Sequence, residues 1–464
     1  MVTAANRLTR RVSARATRSV DGAALAAFRM LFGLIAAVGA ARFLVNGWLE
    51  PMYLDPAYHF TYPGFGWVQP WPGWGMHAHM AVLVGLCVAI ALGWHTRVAL
   101  GAYLLGFTYV ELLDRTYYLN HYYWITVAGL VLLLLPSGRV WSLDARRGGR
   151  GDEVAAWMIW ALRGLVGMVY VYAGIAKLNP DWLRGEPLRI WFPQDADLPL
   201  AGHLLTREWV AVTASWVTVG FELLVVPALM WRRTRPVAYA AVVCFHLGTW
   251  IVLPQIGAFP FIMIGGALVF FPSDWPRRLL ARLGVSRRMR HGRAVVPHRG
   301  VAWAVGVIAV VELLLPLRPA LYPGDVRWTE EGYRFSWRVM LTEKVGHARF
   351  VVEDPDTGRR WTVDPGTFLN APQERAMSVQ PDMVLDAAHI LRDRYRARGV
   401  AEPRVYADVM VAMNGAPPRR LIDPSTDLAS VGWSLAPRDW ILRRDATPRA
   451  VAARRTPAHL PLAG

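Results

Sequence analysis

Long apolar runs separated by short basic or aromatic links fill the chain up to about residue 318. Runs near 24–45, 98–113, 154–176, 208–231, 235–253 and 301–317 approach or exceed the about 17–25 residues that a bilayer-crossing helix needs. Shorter or more ragged runs lie near 79–94, 120–136 and 258–272 and suit buried helices or re-entrant segments as well as spans. This pattern predicts a polytopic α-helical membrane protein, with about nine transmembrane helices over residues 22–318. Beyond Pro316 the period changes. Runs at 332–341, 346–353, 359–363 and 403–413 are short and rich in β-branched and aromatic residues. Turn signals at Asp356-Thr357-Gly358 and Asn414-Gly415 separate some of them, and residues 382–397 have helical spacing. Residues 319–444 are therefore expected to form a mostly-β extracytoplasmic domain with at least one helix. The Ala/Arg/Pro-rich tail, 445–464, reads as disordered.

Charge supplies the orientation. Arg7, Arg10, Arg11, Arg15 and Arg18 precede the first run, whereas the link 46–78 has no Lys or Arg. Arg97, then Arg139 to Arg150, Arg232 to Arg235 and Arg277 to Arg293 follow every second run. Positive-inside orientation over nine spans makes residues 1–21 a basic cytoplasmic arm and puts 319–444 outside. A cleaved signal peptide would have a shorter apolar region than 24–45.

Composition narrows the class. Of 464 residues 54% are hydrophobic and 18% charged, which excludes disorder and an ordinary soluble enzyme. The net charge of +17 would suggest nucleic acid in a soluble chain, but here the Arg residues sit between apolar runs, where they face an anionic membrane. Cys87 and Cys244 both lie inside apolar runs and read as buried packing, so no disulfide framework or multi-cysteine metal site is expected. His77-Ala78-His79 is a weak metal signal without Cys or paired carboxylates.

Titratable groups within spans are costly and mark candidate sites. They are Arg29, Arg42, Glu111, Arg163, Lys177, Glu222, His246 and Glu312, with Asp114, Arg115 and His121 at a span end. Structural pairing, for example of Arg163 with Glu111 or Glu222, is the alternative reading. Lys177 differs from the rest because the sequence uses Arg for 49 of its 51 cations and has Lys only at 177 and 344. Arg never gives up its proton, whereas a desolvated Lys can, so a need for a neutral amine explains the choice. Asn120-His121, set in Tyr117–Trp124, can orient a planar ligand; an interfacial aromatic belt explains the Tyr and Trp but not this pair.

Ala173-Gly174-Ile175-Ala176-Lys177-Leu178-Asn179-Pro180-Asp181-Trp182 resembles the catalytic-lysine segment of vitamin K-dependent γ-glutamyl carboxylases. Tyr118-Leu119-Asn120-His121-Tyr122-Tyr123 is similar to that family's Asn-His segment, and Phe245-His246-Leu247 with Ile256–Pro260 to a third membrane block. Phe335-Ser336-Trp337-Arg338-Val339-Met340, Asp364-Pro365-Gly366, Tyr406-Ala407-Asp408 and Ile422-Asp423-Pro424 resemble its outer domain, so the likeness runs from about 22 to 443.

The resemblance implies that Lys177 is the general base toward vitamin K hydroquinone, phylloquinol or menaquinol. It implies that Asn120 and His121 orient the quinol or stabilise its anion. His246, Tyr118, Tyr122, Glu111 and Trp182 are further quinol-site candidates. Oxygenation of the hydroquinone by O2 to the 2,3-epoxide would supply the strong base that removes a Glu γ-proton, and the carbanion would add CO2 to give γ-carboxyglutamate. The implied partners are the bilayer, a lipid-soluble quinol and a Glu-containing protein or peptide at the outer face; no metal or nucleic acid is implied. Two other functions remain open: quinol epoxidation without protein carboxylation, and non-catalytic ligand binding or transport. The chain has no cysteine outside the spans, unlike animal relatives, and no recognisable propeptide-capturing segment.

Overall fold

A computed structural model describes residues 13–147, 151–199, 202–285, 289–291 and 298–444. Arg7, Arg10, Arg11 and the expected disordered tail lie outside the described residues. Two compact units emerge: one runs to Leu317 and also includes Phe335–Val339, and the other comprises Arg318–Arg334 and the chain from Met340 onward.

The first unit is helical. Its main helices are α1 (Ala23–Val45), α2 (Gly75–Leu92), α3 (Thr96–Leu113), α4 (Asn120–Leu134), α5 (Ala156–Lys177), α6 (Glu208–Met230), α7 (Arg235–Val252), α8 (Phe259–Ala267) and α9 (Arg299–Leu314). Each coincides with one of the apolar runs. Six are long and apolar enough to cross a membrane: α1, α2, α5, α6, α7, and α9 with its 3-10 extension to Leu321. The expectations for 79–94 and 98–113 are thereby exchanged. Helix α2 starts at Gly75 and gains a turn, whereas α3 includes Thr96, Arg97, Thr108 and Glu111 and is less apolar. Helices α4 and α8 are shorter apolar elements.

Two glycines permit the tightest contacts near buried charge. Gly93 ends α2 at φ 67°, and a Cβ there would fall 2.2 Å from Ser142 Cβ and 2.8 Å from Arg29 Nη1. Gly174 of α5 faces α6, where a Cβ would come 2.9 Å from Leu223 Cδ2 and 3.1 Å from Glu222 Cβ.

Arg29 and Arg163 serve the backbone rather than carboxylates. Arg29, fully buried, donates to the carbonyls of Ser137, Ala91 and Trp141 at 3.0, 3.2 and 2.8 Å. Arg163 donates to Val269, Phe270 and Phe271 where the short α8 segment runs out. A helix end inside an apolar layer leaves carbonyls that water cannot reach, and a guanidinium satisfies several at once. The alternative pairing of Arg163 with Glu111 or Glu222 is not formed among the described residues. At the start of α1 and α5, β1 (Ser19–Asp21) pairs antiparallel with β2 (Glu153–Ala155), and Arg277 is held by Asp21 at 2.6 Å and Asp152 at 2.7 Å. Cys87 is buried, but Cys244 is exposed on the surface of α7, against the expectation of two buried thiols.

The second unit has one antiparallel sheet in the order β4-β3-β5-β6, formed by β3 (Lys344–Glu353), β4 (Arg360–Val363), β5 (Arg404–Met413) and β6 (Arg419–Arg420). Ten residues of β3 pair with β5, from Lys344↔Met413 to Glu353↔Arg404. Alternation buries Ala348, Phe350 and Val352 of β3 with Val405, Ala407, Val409 and Val411 of β5. Helix α10 (Ala371–Met377) and the amphipathic α11 (Pro381–Arg396) complete the unit, and α11 packs on β5 through residues such as Leu385, Ala388 and Leu391. Helix is thus as prominent as strand, and the unit is α+β rather than mostly β. The turns at Gly358 and Asn414-Gly415 form as expected, with positive φ at all three residues. The run at 332–341 forms no strand. Phe335, Trp337 and Met340 adopt left-handed φ of 61°, 54° and 49°, and Trp337 is buried with no exposed surface.

Candidate functional site

Helix α5 ends at Lys177 because Asn179-Pro180 starts a new short helix, Pro180–Leu183, with Asn179 Oδ1 accepting from Trp182 N at 3.1 Å. The lysine consequently occupies the last turn, where the helix dipole favours a cation. Its side chain is 4% exposed. Nζ donates to Glu222 Oε1 at 3.0 Å and to the Val339 carbonyl at 3.1 Å, and lies 5.1 Å from the centre of the Trp182 ring. Glu222 is also buried, and its Oε2 has no hydrogen-bond partner among the described residues.

One face of α5 continues the site. Tyr170, seven residues before Lys177 and therefore on the same face, places its hydroxyl 2.8 Å from His246 Nε2 of α7. Both groups are buried. Phe259, at the start of α8, lies 6.0 Å from the His246 ring and 6.2 Å from the His121 ring. His121 packs against Tyr122 at 4.7 Å, and no hydrogen bond to its ring is formed among the described residues.

The segment Phe335–Val339 closes another side. Tyr118 accepts from Phe335 N at 2.8 Å and donates to Asn120 Oδ1 at 3.1 Å, while Asn120 Nδ2 reaches the Arg338 carbonyl at 3.4 Å. Phe335 packs on Tyr62, Tyr118 and Tyr123, and Trp337 on Tyr123. Tyr123 in turn hydrogen-bonds Glu312 of α9. Burial of these rings offsets the left-handed backbone, which costs on the order of 1–3 kcal/mol per residue.

The chain matches the HTTM domain over residues 17–275 and the lumenal domain of vitamin K-dependent gamma-carboxylase over residues 298–447. It belongs to the vitamin K-dependent γ-glutamyl carboxylase family. No solved structure matches the chain. Family membership, together with six apolar helices of spanning length, makes this a carboxylase-like membrane protein.

Of the candidates that the carboxylase resemblance supplied, Lys177 and Trp182 are in contact, and Asn120 and Tyr118 reach the segment that Lys177 also touches. His121 and His246 flank Phe259. Glu111 and Tyr122 lie near one another, with Tyr53 and Tyr103, rather than in contact with Lys177. Glu222 was a candidate but not tied to Lys177, and Tyr170 and the peptide carbonyls of 338–339 were not predicted as site groups. Glu222 was visible as an intramembrane charge, and Tyr170 by its heptad spacing from Lys177; nothing in the sequence indicated the carbonyls. His77 meets Glu50 and His79 meets the Gly106 carbonyl, so those histidines do not converge. Among the described residues no group of three or more His, Cys, Asp or Glu is gathered that could hold a metal ion.

The amine of Lys177 and the imidazoles of His121 and His246 are set among Tyr, Phe and Trp rings.

Proposed function

We propose that the protein is a γ-glutamyl carboxylase-like membrane enzyme in which Lys177 is the base toward vitamin K hydroquinone. The observation that carries this reading is the burial of the lysine amine, with a carboxylate, one carbonyl and an indole as its only contacts among the described residues. Reduced vitamin K supplies the energy of its reaction with O2, without which no side chain could remove a Glu γ-proton for CO2 addition. The chain's residues have simpler tasks. Lys177 Nζ receives a proton, and its positive charge then stabilises the anion left beside it. His121, with ring nitrogens that bond no described residue, is suited to orient the quinol, and Tyr170 fixes the ring of His246. Asn120 and Tyr118 hold the segment that covers the amine.

On this reading the N-terminal arm is cytoplasmic and the sheet-containing unit, residues 319–444, is extracytoplasmic. The alternation of basic links supports that orientation. The substrates are a lipid-borne quinol and a Glu-containing protein or peptide.

The test uses purified protein in nanodiscs with reduced vitamin K, O2, labelled bicarbonate and a Glu-rich peptide. Epoxide with fixed label is expected. Epoxide alone would reduce the function to quinol oxygenation, and neither product, where a known carboxylase works, would leave a non-catalytic binding or transport protein.

A further inference from the structure

A base must meet its substrate without a proton, and Lys177 is shielded from water that could take that proton away. Its contacts among the described residues are Glu222 Oε1, the Val339 carbonyl and the Trp182 ring. Of these only the carboxylate can accept a proton. The other titratable groups around the pair, Tyr170 of α5 and His246 of α7, are engaged with each other at 2.8 Å.

The geometry of Glu222 adds a second, independent argument. Its side chain is 9% exposed, and Oε2 is buried with no hydrogen-bond partner among the described residues. A carboxylate spreads its charge over both oxygens, and leaving one of them buried with no partner among the described residues costs far more for a charged group than for a neutral one. The close contact made possible by Gly174 leaves little room at this point between α5 and α6.

We propose that Glu222 takes the proton of Lys177 before the quinol reacts: the resting pair is a neutral amine beside a neutral carboxylic acid. In the step, an N–H bond of the Lys177 ammonium breaks, its electron pair stays on Nζ, and an O–H bond forms on Glu222 Oε1. The pair carries no net charge before or after. Glu222 thereby acts through Lys177 as a positioning residue for the proton, and this assignment rests on the reading of Lys177 as base.

The experiment is infrared spectroscopy of the full-length protein in nanodiscs, with and without ¹³C-glutamate, combined with epoxide assays. A protonated-carboxyl C=O band is expected in the wild type and in Lys177→Met, and should be lost in Glu222→Gln. If that band appears in Lys177→Met but not in the wild type, the proton rests on the lysine and the proposal is overturned. Should Glu222→Gln fail to fold, Glu222→Asp assigns the band by shifting it. Epoxide formation should fall about 100-fold in Glu222→Gln, the scale of a lost proton-transfer partner, and a wild-type rate there would also overturn the proposal. A band without any epoxide from the wild type would remove the proposed function and leave the proton assignment standing. Epoxide without the band would do the reverse.

Discussion

Lys177 and Asn120 donate to consecutive peptide carbonyls, Val339 at 3.1 Å and Arg338 at 3.4 Å. Two groups 57 residues apart in sequence are thus registered by a single short segment. The anchor of that segment is Trp337. Replacing Trp337 with Ala should cost about 3–5 kcal/mol, the usual price of a buried aromatic, and lower epoxide formation because both donors lose a fixed acceptor. Thermal unfolding in detergent with parallel turnover checks this, and wild-type turnover in a folded Trp337→Ala protein would contradict it.

Lys177→Ala should abolish epoxide formation while the protein remains monodisperse in detergent. A small exogenous amine should restore part of the rate. Lys177→Arg should remain inactive, because guanidinium does not give up a proton. Activity in Lys177→Arg would rule out proton abstraction at this position.

Gly174 sets the spacing between α5 and α6. With a Cβ there 2.9 Å from Leu223 Cδ2, Ala requires the leucine side chain to swing aside, a modest loss. Leu at 174 cannot be accommodated and should separate Lys177 from Glu222, which are paired at 3.0 Å. Separating them leaves buried polar groups without a partner, at about 1–3 kcal/mol each. Unfolding midpoints and rates should therefore fall in the order wild type, Gly174→Ala, Gly174→Leu; equal values for all three would show that the spacing is not limiting.

Arg29 should be irreplaceable by Lys. Its guanidinium serves carbonyls in several directions from within α1, at 2.8 to 3.2 Å for the nearest three. Each such charge-assisted bond contributes about 1.5–3 kcal/mol, and an ammonium cannot reproduce the planar fan of donors. Arg29→Lys and Arg29→Met should both yield little detergent-stable protein, as gel filtration would report.

His389 predicts a pH dependence in the second unit. Burial is the main reason that its imidazole titrates below the ordinary value, despite an opposing hydrogen bond at 2.8 Å to the Val431 carbonyl. The fold therefore prefers neutral His389. That preference is fully present above the unfolded value of about 6.5 and is lost as pH falls through the lower folded value. Melting curves of the full chain should weaken on the acid side of pH 6.5, and less so in His389→Gln. An unchanged acid slope in the variant would assign the effect elsewhere.

Much of this was legible in the sequence because a bilayer imposes length and apolarity on each span. All nine apolar runs became helices, and the scarcity of lysine drew attention to Lys177. Lys344, the other lysine, is also buried and paired with Glu330, so scarcity marks both lysines and the membrane setting singles out Lys177. Residues 332–341 misled because their aromatic, partly alternating pattern matches a strand; the rings are buried by left-handed turns instead, which depends on partners far away in sequence. The partner of Lys177 was hidden for the same reason. Which face of α6 meets α5 is decided by Gly174, and periodicity alone assigns no neighbour.

The assignment of Phe335–Val339 to the helical unit has a consequence for how the molecule can be divided. The HTTM match ends at residue 275, and the helical unit is otherwise complete at Leu317. A polypeptide stopped there would keep every lipid-facing span and both histidines. It would still leave the amine of Lys177 without its Val339 acceptor, a membrane half that is whole in topology and open at the residue on which the chemistry depends.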